Sequence, residues 1–476
     1  MLPVLTVAEM NEVDALAQKA TPLEVLVERA GHAVARAALE MLGGAYGRRV
    51  VVVAGRGNNG ADGRVAASVL ERRGANVKVV EAGAAQALGA ADLVIDAAYG
   101  TGFRGEYDPP TLSPGTPVLA VDIPSGVRGD TGEVSGSPWS ASRTVTFVAL
   151  KPGLVQGDGS LLAGRVSVVD IGLPVGDASV WVVEDRDVSD LVPRRAHWGN
   201  KWSAGVMVVA GSPGMTGAAA LCARSAYRAG AGMVRLGVPG GDLSDAPSSE
   251  AVSVELPPED WADAALQEAS RCKAVVVGPG LGRRVGTSSA VRRLIAESPV
   301  PVVVDADALF ALGEIGRADA ADLSGARSRV ILTPHDGEYA RLTGAGPGVD
   351  RIAAVRRLAE SSAGVALLKG PVTAIAEGDP GAAVGRTLLA TAGTSALATA
   401  GTGDVLSGMI GAMLARGVAP LEAAALAAHV HGRAARTGPA EGLVAGDLPG
   451  LVSGVLSSLL SVDERTEDEL TERADG

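Results

Sequence analysis

The sequence predicts an α/β protein made of two doubly wound domains in succession. Three observations carry this. Apolar residues make up 47% of the 476 residues and aromatics only 3%, so the core is built from Ala, Val and Leu rather than from rings. Short β-branched runs without polar alternation recur along the chain, as in strands covered on both faces of a parallel sheet. The 64 glycines gather mostly in loops after those runs, where open parallel sheets bind ligands.

Met1–Lys19 lacks a basic segment followed by an apolar run. Thr6-Val7-Ala8-Glu9 instead forms a capping box that opens a helix. Strands are expected at Arg49–Ala54, Asn76–Glu81, Asp92–Ala97, Pro117–Ile123, Thr144–Leu150 and Arg165–Ile171. Gly172, Pro174, Pro193 and Gly199 then break the rhythm, which places a boundary near 190. The pattern restarts with strands at Gly205–Ala210, Met233–Val238, Ala274–Val277, Val300–Val304, Val330–Leu332 and Val365–Leu368. Helices are expected over Thr216–Ala229, Ser288–Glu297, Gly337–Leu342 and Arg351–Ser361, and a run of helices from Asp404 to about Leu460. The expected organisation is therefore 1–190, 191–462 and an acidic tail, 463–476.

The formal charge of −12 belongs to the first half and the tail, so no basic patch suggests nucleic acid. No uncharged stretch is long enough to span a bilayer. Cys222 and Cys272 lack metal-ligand spacing and read as small buried hydrophobes of a reducing compartment. A cytoplasmic protein acting on small molecules, without nucleic-acid or membrane partners, is the expectation, and a homo-oligomer is expected.

Gly55-Arg56-Gly57-Asn58-Asn59-Gly60 follows a strand and opens a helix, matching G-x-G-x-x-G in context. Glu81, ending the next strand, suits a ribose-binding acid, so spacing alone allows a nicotinamide dehydrogenase. Three features argue against one. The loop continues as Asn58-Asn59-Gly60-Ala61-Asp62-Gly63, with amides and a carboxylate where small residues are usual. A second Gly-rich loop, Gly100-Thr101-Gly102-Phe103-Arg104-Gly105-Glu106, follows the third strand, and Asp122-Ile123-Pro124-Ser125-Gly126 the fourth. Asn59, Asp96 and Ser125 offer oxygens of the kind a hard cation prefers. Each alone reads equally well as a turn former; together the three loops indicate a site.

In the second half, residues 391–408 form a Gly/Ala/Thr loop ending in Gly401-Thr402-Gly403-Asp404 and running into a helix over Val405–Arg416. Unpaired N–H groups and the positive dipole end there suit a transferring phosphoryl group. Asp404 is placed to take a proton from an attacking hydroxyl. Further loops are Gly278-Pro279-Gly280-Leu281-Gly282, Val304-Asp305-Ala306-Asp307-Ala308-Leu309, Thr333-Pro334-His335-Asp336-Gly337-Glu338 and Lys369-Gly370-Pro371-Val372-Thr373. Lys369 offers a point charge to phosphate and Thr373 a hydroxyl. His335 reads either as a ligand contact or as a buried structural histidine.

On these motifs the chain resembles the bifunctional NAD(P)H-hydrate repair enzymes. Residues 5–175 resemble their epimerase domain, with Ala61 in place of a glycine, and 197–460 resemble their ADP/ATP-dependent dehydratase. The resemblance implies a Rossmann-like N-terminal sheet and a ribokinase-like C-terminal α/β/α sandwich. It implies that the chain interconverts the R and S forms of hydrated NADH and NADPH. It also implies dehydration of the S form at the expense of ADP or ATP, giving NAD(P)H, phosphate and AMP or ADP. Carried over by position, Asn58–Asp62, Gly100–Glu106 and Asp122 would bind the hydrated cofactor, with Asp122 as acid/base. Asn59, Asp96 and Ser125 would hold K+. Lys369–Thr373 and Gly403 would bind the nucleotide, with Mg2+ accompanying it. Ala218, Gly282, His335 and Asp404 would contact the hydrated nicotinamide. Asn200 stands before Lys201 where the family often has His. Two other readings compete: a small-molecule kinase fused to an inactive first half, and a first half that serves only as a binding module like that of an RNA-decapping scaffold.

Overall fold

In the computed structural model, residues 1–176, 178–241, 250–321, 323, 329–378 and 385–461 are described; the expected acidic tail lies outside them. The chain divides into two compact units, Leu2–Val180 and Trp181 onward, with Met1 grouped with the second. The division falls ten residues before the expected 190. The physical reason is packing: Val183, Val188 and Val192 already belong to the buried core of the second unit.

The strands are β1 (Leu2–Val4), β2 (Arg49–Ala54), β3 (Asn76–Glu81), β4 (Leu93–Ala97), β5 (Val118–Val121), β6 (Arg143–Phe147), β7 (Arg165–Val169) and β8 (Val180–Val182). In the second unit they continue as β9 (Gly205–Val209), β10 (Met233–Pro239), β11 (Val252–Leu256), β12 (Ala274–Val277), β13 (Val302–Val304), β14 (Val330–Leu332), β15 (Val365–Leu368), β16 (Thr373–Glu377) and β17 (Thr387–Ala390).

The sheet of the first unit runs β3-β2-β4-β5-β6-β7, parallel throughout. Strand order reverses between β2 and β4, so a crevice opens where residues 55–60 and 98–106 leave those strands. Gly55 and Gly60 make the turn possible. A Cβ on Gly55 would collide with the Ala98 carbonyl, and one on Gly60 with the Gly55 carbonyl. Ala61 sits inside the helix Asn58–Arg72, so the third small position needs no glycine. The Thr6–Glu9 capping box forms as expected at the start of the helix Val7–Ala17.

In the second unit the order is β8-β17-β16-β15-β14-β13-β12-β9-β10-β11. Strands β15 to β11 are parallel, whereas β16 and β17 pair antiparallel; the sequence reading missed these two strands, along with β1, β8 and β11. The switch point lies between β9 and β12, beside residues 211–216 and 278–284. The helix Thr402–Ala415 is buried over nearly its whole length. It can lie against the helix Gly217–Arg228 because Gly408 has no side chain; a Cβ there would strike the Cys222 carbonyl and Ser225 Oγ. That close packing fixes the helix start, and Asp404 with it. The Cys222 and Cys272 thiols are free and buried, and burial pushes both up, away from reactivity.

Candidate active sites

A cleft of about 1110 Å³ opens at the β2/β4 switch point of the first unit, large enough for a dinucleotide rather than a fragment. Asn58, Asn59, Asp62, Gly100–Arg104 and Asp122 line it. Gly105 and Glu106 are exposed and stand off its wall. Tyr99 stacks on Phe103 at 4.4 Å and meets Tyr107 edge-on at 5.1 Å, which anchors the second loop.

Asp122 is held in the left-handed region at φ 66°, where a non-glycine residue is strained. The strain aims its carboxylate at Lys151, whose Nζ donates to Asp122 at 2.6 Å, to Thr146 Oγ1 at 2.8 Å and to the Phe147 carbonyl at 2.9 Å. Thr146 donates to the same carboxylate at 3.0 Å. Val148, also left-handed at φ 69°, turns the chain so that Lys151 folds back inward. Asp62, 7% exposed, makes none of the described hydrogen bonds. Burial first, then the Asp122 charge, pushes its carboxyl up to about 8. Burial likewise raises Asp14, which the Lys151 ammonium opposes. The sequence reading missed both Lys151 and Asp14. The only hint was Lys151-Pro152-Gly153 at a strand exit.

Below the cleft, Asp96 is fully buried and accepts from Ser125 N at 2.9 Å and from Ser125 Oγ at 2.7 Å. Burial raises its carboxyl above the usual range. Tyr99 N donates to Ser125 Oγ at 2.9 Å. Both polar atoms of the Asn59 side chain are buried without a partner. An orphaned amide oxygen, a buried carboxylate and a hydroxyl fit a monovalent cation, which the residues present accommodate.

In the second unit, Lys369 Nζ donates to Asp305 Oδ1 at 2.6 Å, and Ser407 Oγ donates to Asp305 Oδ2 at 2.6 Å. Gly403 packs against this group; a Cβ there would lie 3.2 Å from Lys369 Nζ. Asp404, in the first helical turn, makes none of the described hydrogen bonds. Burial, then Asp305, pushes its carboxyl up to about 6, against the opposing pull of Lys369.

Lys369 N donates to the Pro334 carbonyl at 2.9 Å, which ties the Lys369–Thr373 loop to the His335 loop. His335 is an exposed helix N-cap, not the buried histidine of the alternative reading. Its Nδ1 accepts from Gly337 N at 3.0 Å and Glu338 N at 3.3 Å, so the neutral ring carries its proton on Nε2. Arg351 donates to the Lys369 carbonyl at 2.6 Å and to Asp336 at 2.9 Å, bracing the residues before Gly370–Thr373. Gly282 N donates to Asp307 Oδ2 at 2.9 Å, and Gly280 lies against Ala218 at the switch point. Asp305, Asp307 and Ser407 were visible in the motifs but were assigned no role. No group of three His, Cys, Asp or Glu able to hold a metal forms among the described residues.

Together these sites define a two-site enzyme, one half built around a dinucleotide-sized cleft and the other around a glycine-rich helix start beside a lysine–aspartate pair. The family described as NAD(P)H-hydrate dehydratase matches residues 206–457, and that described as YjeF-related protein N-terminus matches 23–88 and 80–153. The bifunctional NAD(P)H-hydrate repair enzyme Nnr of Moorella thermoacetica is 35% identical, over 94% of this chain and 95% of the relative. That of Mycobacterium leprae is 39% identical, over 81% and 85%. The solved ADP/ATP-dependent NAD(P)H-hydrate dehydratase of Bacillus subtilis, co-crystallised with ATP and Mg2+, is 27% identical with a TM-score of 0.47. It covers 58% of this chain and 97% of its own. The chain belongs to the bifunctional NAD(P)H-hydrate repair enzymes. Relatives spanning both halves leave no support for a kinase with an inactive appendage.

Proposed function

We propose that the first unit epimerises hydrated NADH and NADPH and that the second dehydrates the S epimer at the expense of ADP or ATP. The observation that carries this is Asp404, a lone half-buried carboxylate at a helix start beside the Lys369–Asp305–Ser407 cluster. No helix among the described residues is long and apolar enough to cross a membrane, which is compatible with a cytoplasmic repair enzyme.

In the second unit, Asp404 takes the proton of the ring hydroxyl as its oxygen attacks the terminal phosphorus. The nucleotide leaves with the electron pair of the broken P–O bond. Lys369 and the Gly401, Gly403 and Asp404 amides carry the growing charge. The ring nitrogen then expels phosphate from carbon, and loss of a proton from the neighbouring carbon restores the double bond. His335 Nε2–H and the Gly282 loop hold the ring. Mg2+ would neutralise the nucleotide phosphates it arrives with.

In the first unit, Asp62 protonates the departing hydroxyl while the ring nitrogen stabilises the resulting cation. Water returns on the other face and gives a proton to Asp122, which Lys151 and Thr146 hold in place. Asn59, Asp96 and Ser125 would hold K+, which when bound supplies a fixed charge against the buried Asp96 carboxylate.

The test is to mix hydrated NADH with the protein, with and without ADP or ATP, and follow nicotinamide absorbance. Recovery only with nucleotide, together with free phosphate, is expected. A stable phosphorylated product would overturn the reading in favour of a kinase. Replacing K+ by a bulky organic cation should slow R-to-S interconversion and leave dehydration unchanged. An unaltered interconversion rate would remove the cation site.

A further inference from the structure

At the cleft of the first unit, Glu81 lines the wall and pairs with Arg64 just behind it, and neither reaction above uses the pair. Glu81 ends β3 and pairs in register with Ala54, the residue before the Gly55–Gly60 turn. In a dinucleotide fold, an acid at that strand end meets the ribose of the adenosine half and excludes a 2′-phosphate by repulsion. Here the acid is not alone. Arg64 Nη2 donates to Glu81 Oε1 at 2.6 Å, while Nη1 donates to the Gly55 carbonyl at 2.8 Å. The second oxygen of Glu81 takes none of the described hydrogen bonds. Arg56, exposed and lining the same cleft, engages none of the described partners either.

Both side chains of the pair are well exposed, Arg64 at 39% and Glu81 at 57%. A surface pair of this kind contributes little to stability, so a ligand can open it at small cost.

We propose that Arg64 and Glu81 set which hydrated dinucleotide the first unit takes, admitting both forms by two different contacts. A free ribose 2′-hydroxyl donates to the open oxygen of Glu81, with the pair intact. A 2′-phosphate displaces Glu81 from Arg64 and takes the Arg64 and Arg56 guanidiniums, whose fork geometry matches phosphate oxygens. The inference rests on the epimerase reading of this cleft.

The experiment measures R-to-S interconversion of hydrated NADH and hydrated NADPH separately, without ADP or ATP so that the second unit consumes neither. Arg64→Ala should raise KM for the NADPH hydrate by roughly tenfold, the loss of one charge-assisted contact to phosphate, and leave that for the NADH hydrate within about twofold. Arg64→Lys should recover part of the loss. Glu81→Gln, which keeps the turn intact, should shift the ratio the other way by easing entry of the 2′-phosphate. Arg64 also holds the Gly55 carbonyl, and a merely structural role would slow both substrates alike. Equal losses for the two substrates, or an unchanged ratio in both variants, overturn the inference. Absence of interconversion by the unaltered protein would instead overturn the epimerase reading.

Discussion

The two sites use the same parts in opposite orientation. Each has a lysine paired with an aspartate at 2.6 Å, a hydroxyl on that aspartate, and a second aspartate nearby with its carboxyl pushed up. In the first unit Lys151 is the buried member, 2% exposed, and Asp122 faces the cleft at 17%. In the second, Asp305 is buried at 2% and Lys369 faces outward at 20%. The same pair thus presents a carboxylate in one unit and an ammonium in the other. A carboxylate suits a ring that becomes cationic when it loses hydroxide, whereas an ammonium suits a phosphoryl group gathering negative charge. Backbone decides the orientation. Left-handed Asp122 and Val148 fold Lys151 under the sheet end, while Lys369 leaves β15 directly beside the helix start at Thr402.

If each raised aspartate works as a proton carrier for its own unit, the largest effect should come from Asp404→Asn. Nucleotide-dependent dehydration should fall by roughly 10²–10⁴-fold, with interconversion of epimers near normal. Single-turnover rates on the purified S epimer measure this. Retention of more than about half the rate would remove Asp404 from the chemistry.

Asp122→Ala should cut interconversion by about 10²-fold, because the pair that places the returning water is lost. On the reading proposed above, the second unit acts on one epimer, the one whose hydroxyl would point at Asp404. Repair of a racemic mixture by this variant should therefore stall near half conversion, while the pure S epimer is dehydrated normally. Full conversion well above the spontaneous epimerisation rate would show that Asp122 is dispensable or that the second unit accepts both epimers.

The strand ends and Gly-rich loops of both units were legible because buried parallel strands leave uninterrupted apolar runs, and β2, β12, β14 and β15 fall where those runs do. Asn59, Ser125 and His335 drew notice because they stand in polar loops after such runs, Asp96 because it sits near the end of one, and Asp404 because it ends a Gly/Ala/Thr loop at a helix start. Lys151 was not. A lysine before Pro152 reads as a solvated loop residue until Val148, a β-branched residue in an unfavourable backbone region, turns it inward. Glu81 was read as a free ribose acid because sequence shows no sign that Arg64, on the helix before β3, reaches across to it. The strands β16 and β17 were hidden because they are only five and four residues long and their apolar residues are bounded by Thr and Glu.

The raised carboxyls also separate the units by pH. Asp62, at about 8, must be protonated to act as an acid, so interconversion should fall as pH rises through that value. Asp404, at about 6, must be deprotonated to act as a base, so dehydration should fall as pH drops through that value. Each limb should approach about tenfold per pH unit. Separate rate profiles for the two reactions test this, and Asp62→Asn should abolish the alkaline limb along with most of the rate. Limbs of the same sign for both reactions would break the comparison.

The smallest effects should come from the two hydroxyls, and they sharpen the comparison most finely. Ser407→Ala removes a donor from a nearly inaccessible carboxylate, freeing Asp305 to draw Lys369 further toward itself and away from phosphate. Losing one hydrogen bond of this kind is worth roughly 1 kcal/mol, about fivefold. That loss should appear in KM for the nucleotide, because the ammonium binds phosphate in ground and transition states alike. Thr146→Val removes a bond to a carboxylate that faces the cleft, so Asp122 shifts relative to the reacting carbon. A loss of similar size should appear there in kcat, with KM for the hydrated dinucleotide unchanged, since positioning matters only at the reacting atoms. The same small deletion would thus read out in binding on one side and in turnover on the other. If both variants changed the same kinetic constant, the two lysine–aspartate pairs would be playing one role, and their opposite orientation would have no chemical meaning.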